Sequence, residues 1–214
     1  MADLLLDALP TVWEGRAIDW DFRPMVWLSN QYLRKKPEQD PAGFLVEAFR
    51  RFYREPVPAA QVEDAFAAML RFYAGGAPDR ETRSSGGSGS GEVTFDYAYD
   101  ADYIVAAFQQ AYCIDLTAER LHWWRFRALF LGLPEETTMR KILDIRATDT
   151  SGMEGRMRQE YEQRKEAFAL PNTLKGGTRI VSVQDHNAAF LARFQHRKAC
   201  RSGRKQTPAP GVSG

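Results

Sequence analysis

The stretch Leu121-His-Trp-Trp-Arg-Phe-Arg-Ala-Leu-Phe-Leu131 decides how this chain folds. Leu121, Trp123, Trp124, Phe126, Ala128, Leu129, Phe130 and Leu131 would surround a helix axis almost completely, the pattern of a helix buried on several sides. Such a helix belongs at the centre of a fold. Thr117, just upstream, predicts its N-cap through a side-chain oxygen that can accept a free first-turn amide. Gly132-Leu133-Pro134, just downstream, predicts a tight corner, with glycine past one helix and proline at the first position of the next.

Outward from that helix, the periodicity changes segment by segment. The stretch Glu135 to Arg146 places Met139, Ile142 and Leu143 on a buried face. By contrast, Ser151 to Phe168 is highly charged with a narrow stripe of Met153, Met157 and Tyr161, which predicts an exposed or partner-facing helix. Beyond Pro171 the pattern predicts a short strand over Thr178 to Val183, a last helix from Asp185 carrying Phe190, Leu191 and Phe194, and disorder from Arg201.

In the other direction, Asp100 predicts the cap of a helix carrying Tyr103, Ile104, Ala107, Phe108 and Ala111. The run Ser84-Ser85-Gly86-Gly87-Ser88-Gly89-Ser90-Gly91 has no side chain able to pack and maximal backbone freedom, so it reads as a flexible loop or linker, native or engineered. Before it, a helix opened by Pro58 bears Val62, Phe66, Met69, Leu70 and Tyr73 and ends at Gly75-Gly76. Asp40-Pro41 opens another with Leu45, Phe49, Phe52 and Tyr53 on one face. Asp21 caps a first helix with Phe22, Met25, Val26, Tyr32 and Leu33. Two short runs around Glu14-Gly15 predict a small hairpin.

Together these readings predict a mainly α protein. Two small helical modules, residues 1–76 and 97–170, are joined by a Gly/Ser-rich linker over 77–96. An N-terminal β-hairpin decorates the first, and an extension over 171–214 carries a short helix and a basic tail.

Bulk properties exclude several functional classes. At 214 residues with 44% hydrophobic and 12% aromatic residues, the chain can offset its conformational entropy by burial. Its 29 lysines and arginines nearly balance 28 aspartates and glutamates, so no global field draws it to nucleic acid or an anionic membrane. Cys113 and Cys200 form no CxxC pair, which speaks against a disulfide framework or a zinc site and suits a reducing cytoplasm. The Met1 to Pro10 start is too short and too acidic for a signal peptide, and no long apolar run follows it.

Residues that invite a chemical reading each have a structural one. Asp96, Asp100 and Asp102 resemble a carboxylate cluster for magnesium, but helix N-termini attract aspartate through free amides and the dipole, and Asp100 reads as a cap. His122 lacks a recognisable orienting carboxylate and nucleophile, so a satisfied buried histidine is favoured over a catalytic base. Cys113 follows an aromatic helix and reads as a small packed side chain. Trp123-Trp124 with Arg125 and Arg127 has the composition of a single-strand stacking site, yet core packing explains the tryptophans and leaves the arginines to line a partner-contacting edge. The acid-free run Arg193, His196, Arg197, Lys198, Arg201, Arg204 and Lys205 favours solvation over nucleic-acid binding. No phosphate-binding glycine loop, GxSxG elbow or HExxH pair is present. No catalytic, cofactor or metal residues are assigned.

Several strings nevertheless carry kinship. Asp100-Ala-Asp-Tyr-Ile-Val-Ala-Ala-Phe, Ile114-Asp-Leu-Thr, Leu121-His-Trp-Trp-Arg-Phe-Arg-Ala-Leu, Gly132-Leu-Pro and Lys141-Ile-Leu together resemble the bacteriophage gene-product-fifteen family. Ile18-Asp-Trp-Asp-Phe-Arg, Arg71-Phe-Tyr-Ala-Gly-Gly and Lys165-Glu-Ala-Phe-Ala-Leu are similar to the same family, so the likeness runs from about residue 1 to about residue 170. The resemblance implies a late protein of long-tailed phages (siphoviruses) or prophages, encoded between the major tail protein and the tape measure protein. It implies a non-catalytic tail assembly chaperone in the host cytoplasm that binds the tape measure protein, the tail tube protein or both. Alternatives kept open are a minor tail or connector component of the virion and a small nucleic-acid-binding regulator. Met153, Met157 and Tyr161, with Arg125 and Arg127, are the candidate partner-binding residues, because methionine adapts to varied partners. Packing of Met153, Met157 and Tyr161 on their own domain is an alternative of at least equal weight. Self-association is compatible with this reading, and a membrane partner is not expected.

Overall fold

The computed structural model describes residues 7–34, 39–76 and 95–171. The Ser84 to Gly91 run, the Thr178 to Val183 strand, the helix from Asp185 and the basic tail lie outside the described residues. All described residues fall within one compact unit. The protein is mainly α-helical, with a small two-stranded antiparallel sheet.

Strands β1 (Val12–Trp13) and β2 (Arg16–Ala17) form the expected hairpin. Glu14 and Gly15 both take positive φ, 47° and 80°, the geometry that lets a two-residue turn follow the strand twist. The hairpin is tied down by Trp13, whose Nε1 donates to the Ala68 carbonyl at 2.8 Å.

Helix α1 (Phe22–Leu33) begins at Asp21, which accepts the Arg23 amide, and buries Phe22, Met25 and Leu28. Helix α2 (Pro41–Phe52) begins at Asp40, which accepts the Gly43 amide, with Pro41 at the first position. Its buried line is Phe44, Ala48 and Phe52, with Leu45 and Phe49 half-buried beside it. A 3-10 turn (Ala59–Gln61) follows Pro58 and leads into α3 (Val62–Tyr73), where Phe66, Met69, Leu70, Phe72 and Tyr73 are buried. Gly75 and Gly76, at φ 94° and 74°, end α3 as predicted.

The second half contains α4 (Ala101–Tyr112), α5 (Trp123–Leu131), α6 (Thr138–Ala147) and α7 (Gly155–Ala167). Helix α5 packs on α1 and on α4, α6 packs on α4, and α7 on α6. The helices on either side of residues 77–94 thus share one core. Phe126 stacks on Phe22 at 4.7 Å and on Phe108 at 5.1 Å, joining α1, α5 and α4. Phe95 and Tyr97 meet Phe130 at 5.0 and 5.9 Å, so Phe95 and the fully buried Asp96 belong to the folded body, not to a linker ending at 96.

A pair of indoles links the halves. Trp124 Nε1 donates to the Phe72 carbonyl at 2.8 Å and Trp123 Nε1 to the Tyr73 carbonyl at 2.9 Å. The last carbonyls of a helix have no intrahelical donor, so adjacent tryptophans of α5 cap the end of α3. This close approach needs Gly76. A Cβ there would lie 2.6 Å from Trp124 Cη2 and 3.1 Å from Trp13 Cη2.

Several local expectations are corrected. Thr117 does not cap α5: its amide and hydroxyl both donate to Asp115, and His122 caps the helix by accepting the Trp124 amide. Pro134 does not open α6. A turn intervenes and Thr137 is the cap, accepting the Arg140 amide while its hydroxyl donates to the Pro134 carbonyl. Asp100 stands at the N-cap position of α4 but its side chain does not cap. Helix α5 is not enclosed on all sides, since Arg125, Ala128 and Leu131 share an open face and Leu131 is 70% exposed. Cys113 is exposed, closing α4 in a left-handed conformation at φ 55°.

Candidate partner-binding surface

Helix α7 differs from every other described helix longer than a single turn in burying none of its side chains. Its sequence explains why. Arg156, Arg158, Glu160, Glu162, Arg164, Lys165 and Glu166 leave no continuous apolar face, and helicity draws support from i,i+4 ion pairs: Arg156–Glu160 at 2.8 Å and Arg158–Glu162 at 2.7 Å. Gly155, at φ 57° with open space around its Cα, turns the chain into the helix.

Attachment to the core is concentrated at the C-terminal end. Lys165 Nζ donates to the Thr148 carbonyl at 2.6 Å, Arg146 Nε donates to the Phe168 carbonyl at 2.7 Å, and Leu170 is buried. Arg146 is itself held by Asp100 through two bonds of 2.7 and 2.9 Å, with side-chain exposures of 7% and 0%. The carboxylate suspected of holding magnesium therefore anchors α4, α6 and the end of α7 together. Asp96 accepts the Ala98 and Tyr99 amides and pairs with Arg34 at 3.1 Å. Asp102 is exposed on the first turn of α4. Among the described residues no group of three or more potential ligands could hold a metal ion.

The candidate residues separate. Met157 is 62% exposed, while Met153 and Tyr161 are half-buried, and Arg164 lies 5.7 Å from the Tyr161 ring centroid. Arg125 is exposed on the open face of α5, far in role from Arg127, which turns inward. Arg127 Nη1 donates to the Tyr73 carbonyl at 3.2 Å, and its guanidinium stands 5.8 Å from the Trp123 ring. That side chain serves the α3–α5 junction. Trp123 and Trp124 are buried at 1% and 4% exposure, which removes both as stacking platforms.

The carboxylate–arginine junctions escaped the sequence reading. Asp100–Arg146 and Asp96–Arg34 span 46 and 62 positions, and no local pattern marks either arginine as different from its exposed neighbours. Among the described residues no helix is long and apolar enough to cross a membrane.

Comparison with known proteins places these features. No curated protein and no solved structure matches the chain. A family model described as Bacteriophage Gp15 protein matches residues 47–170, from within α2 through α3, α4, α5, α6 and α7 to the buried Leu170. The hairpin and α1 precede the matched span. Because that span covers more than half of the chain and contains the paired indoles and the junction that anchors α7, the chain belongs to the Bacteriophage Gp15 protein family.

Proposed function

We propose that this chain is a non-catalytic assembly protein of phage tails, a chaperone that binds the tape measure protein, the tail tube protein or both in the host cytoplasm. The observation that carries the reading is α7, a helix fixed at one end with no side chain committed to its own core. Ion pairs hold its shape, which lowers the ordering cost of binding. Exposed Met157 and half-buried Met153 and Tyr161 supply adaptable apolar contact amid charges of both signs. Family membership supplies the phage context.

A long helical partner made before its tube would expose aggregation-prone surface, and a reversible helix-on-helix contact covers such surface without locking it. Co-expression with the neighbouring tape measure protein tests this by pull-down and by tape measure solubility. Retention with rescued solubility, both reduced by Met157→Glu, is the expected result. The absence of both retention and rescue overturns the proposal, and detection of the chain in purified virions by mass spectrometry replaces it with a structural tail role.

A further inference from the structure

His122 stands where three parts of the chain meet. It forms a β-bridge with Asp21 at the head of α1, lies parallel to the Trp20 ring at 6.0 Å, and meets Phe72 of α3 edge-on at 5.6 Å. Only 6% of the residue is exposed. Both ring nitrogens are in use. Nδ1 accepts the Trp124 amide at 3.1 Å, and Nε2 lies 3.1 Å from the carbonyl oxygen of Pro10. A carbonyl only accepts and an amide N–H only donates, so this arrangement admits one state: a neutral imidazole with its proton on Nε2.

We propose that His122 is a proton-operated latch, whose neutral ring, held to the Pro10 carbonyl through Nε2, caps the first turn of α5 through Nδ1, and whose protonation releases that cap while Nε2 keeps hold of Pro10. A proton on Nδ1 would point at the Trp124 N–H, replacing a cap with two opposed donors. It would also put positive charge at the positive end of the α5 dipole, in a site mostly removed from water. Burial accordingly holds His122 below its ordinary value of 6.5, against the opposing pull of the Pro10 carbonyl.

The carboxylates of neighbouring elements already have cationic partners. Asp21 is paired with Arg23 and also accepts the Leu121 amide; Asp19 is paired with Arg120 and Arg54. On α3, Arg71 is paired with Glu14 of the hairpin. Asp7 lies on the fastened segment and Arg127 on α5 itself. Because the folded state lowers the affinity of His122 for a proton, the latch is at full strength above 6.5. It weakens as pH falls from there towards the depressed folded value.

The test uses the full chain, following the His122 imidazole and the exchange of the Trp124 amide by NMR from about pH 7.5 to about pH 5. His122 is expected to titrate below 6.5, with Trp124 protection falling by about ten-fold in step, after correction for intrinsic exchange. His122→Asn retains an acceptor for the Trp124 amide and cannot titrate in this range, so its Trp124 protection is expected to stay flat. Titration of His122 at its ordinary value with unchanged protection at Trp124 overturns the latch. So does an identical pH response in His122→Asn.

Discussion

Helices α5 and α7 are built on opposite principles. In α5, Trp123, Trp124, Phe126 and Phe130 are buried, and the two indoles reach across to carbonyls of α3. In α7 nothing is buried, and support is drawn from pairs four residues apart and from a C-terminal anchor. Short isolated helices are marginal in water, so α5 exists because of what it touches. Helix α7 keeps its surface available because its neighbours hold only one end. The molecule thus separates the element that makes the fold from an element that leaves its side chains outside the core.

That contrast is open to direct attack. Trp123→Ala removes a fully buried indole and leaves the Tyr73 carbonyl only the Arg127 guanidinium as side-chain donor, and a loss of about 4–5 kcal/mol in urea unfolding is expected. If Met157→Ala costs as much, the contrast between the two helices is wrong. Asp100→Ala takes the carboxylate from the buried Arg146 guanidinium, with an expected loss of about 3–4 kcal/mol. Adding Arg146→Met should recover part of that loss in a double-mutant cycle, because the uncompensated charge goes with it. Full additivity would show that the pair does not join α4 to α6.

A smaller effect tests the approach of α3 to α5. Gly76→Ala combines a left-handed backbone with a Cβ pressed against Trp124 and Trp13, and about 2 kcal/mol of destabilisation is expected by thermal or urea unfolding. A neutral substitution would mean that the indoles can retreat without leaving their carbonyls. The smallest stability effect is expected on α7. Met157→Ala should change unfolding by no more than about 0.5 kcal/mol while reducing retention of the tape measure protein, so stability and capture separate.

Much of the architecture was legible because it rests on neighbours in sequence. Asp21, Asp40-Pro41, Gly75-Gly76 and Glu14-Gly15 act within a few residues of themselves, and each does in the fold what its chemistry predicts. The failures share a cause. Thr117, expected to cap α5, gives its amide and hydroxyl to Asp115, two residues away, and His122 caps the helix instead. Pro134, expected to open α6, instead accepts the hydroxyl of Thr137 at its carbonyl, and Thr137 caps the helix after an intervening turn. Asp100 kept its position at the head of α4 while its carboxylate went to Arg146.

The candidate surface was partly legible for the same reason. The charges of α7 lie on all sides of one helix, so exposure follows from composition alone. Met153 precedes the helix, which begins at Gly155, so the expected stripe of three is broken, and of Met153, Met157 and Tyr161 only Met157 proves mostly exposed. Arg125 and Arg127 are two positions apart on α5, yet one faces water and the other a carbonyl of α3.

The sequence by itself determined the helices, most of their stops and the exposure of α7, since apolar spacing and local capping act over one or two turns. Tertiary structure alone decided that both halves share one core, that adjacent indoles cap α3, and that His122 joins Pro10 to α5. These contacts bridge roughly 50 to 110 positions, and a hydrogen bond or ion pair at that separation imposes no period on the residues that make it. Its partner is chosen by which groups the packed helices leave unsatisfied beside one another.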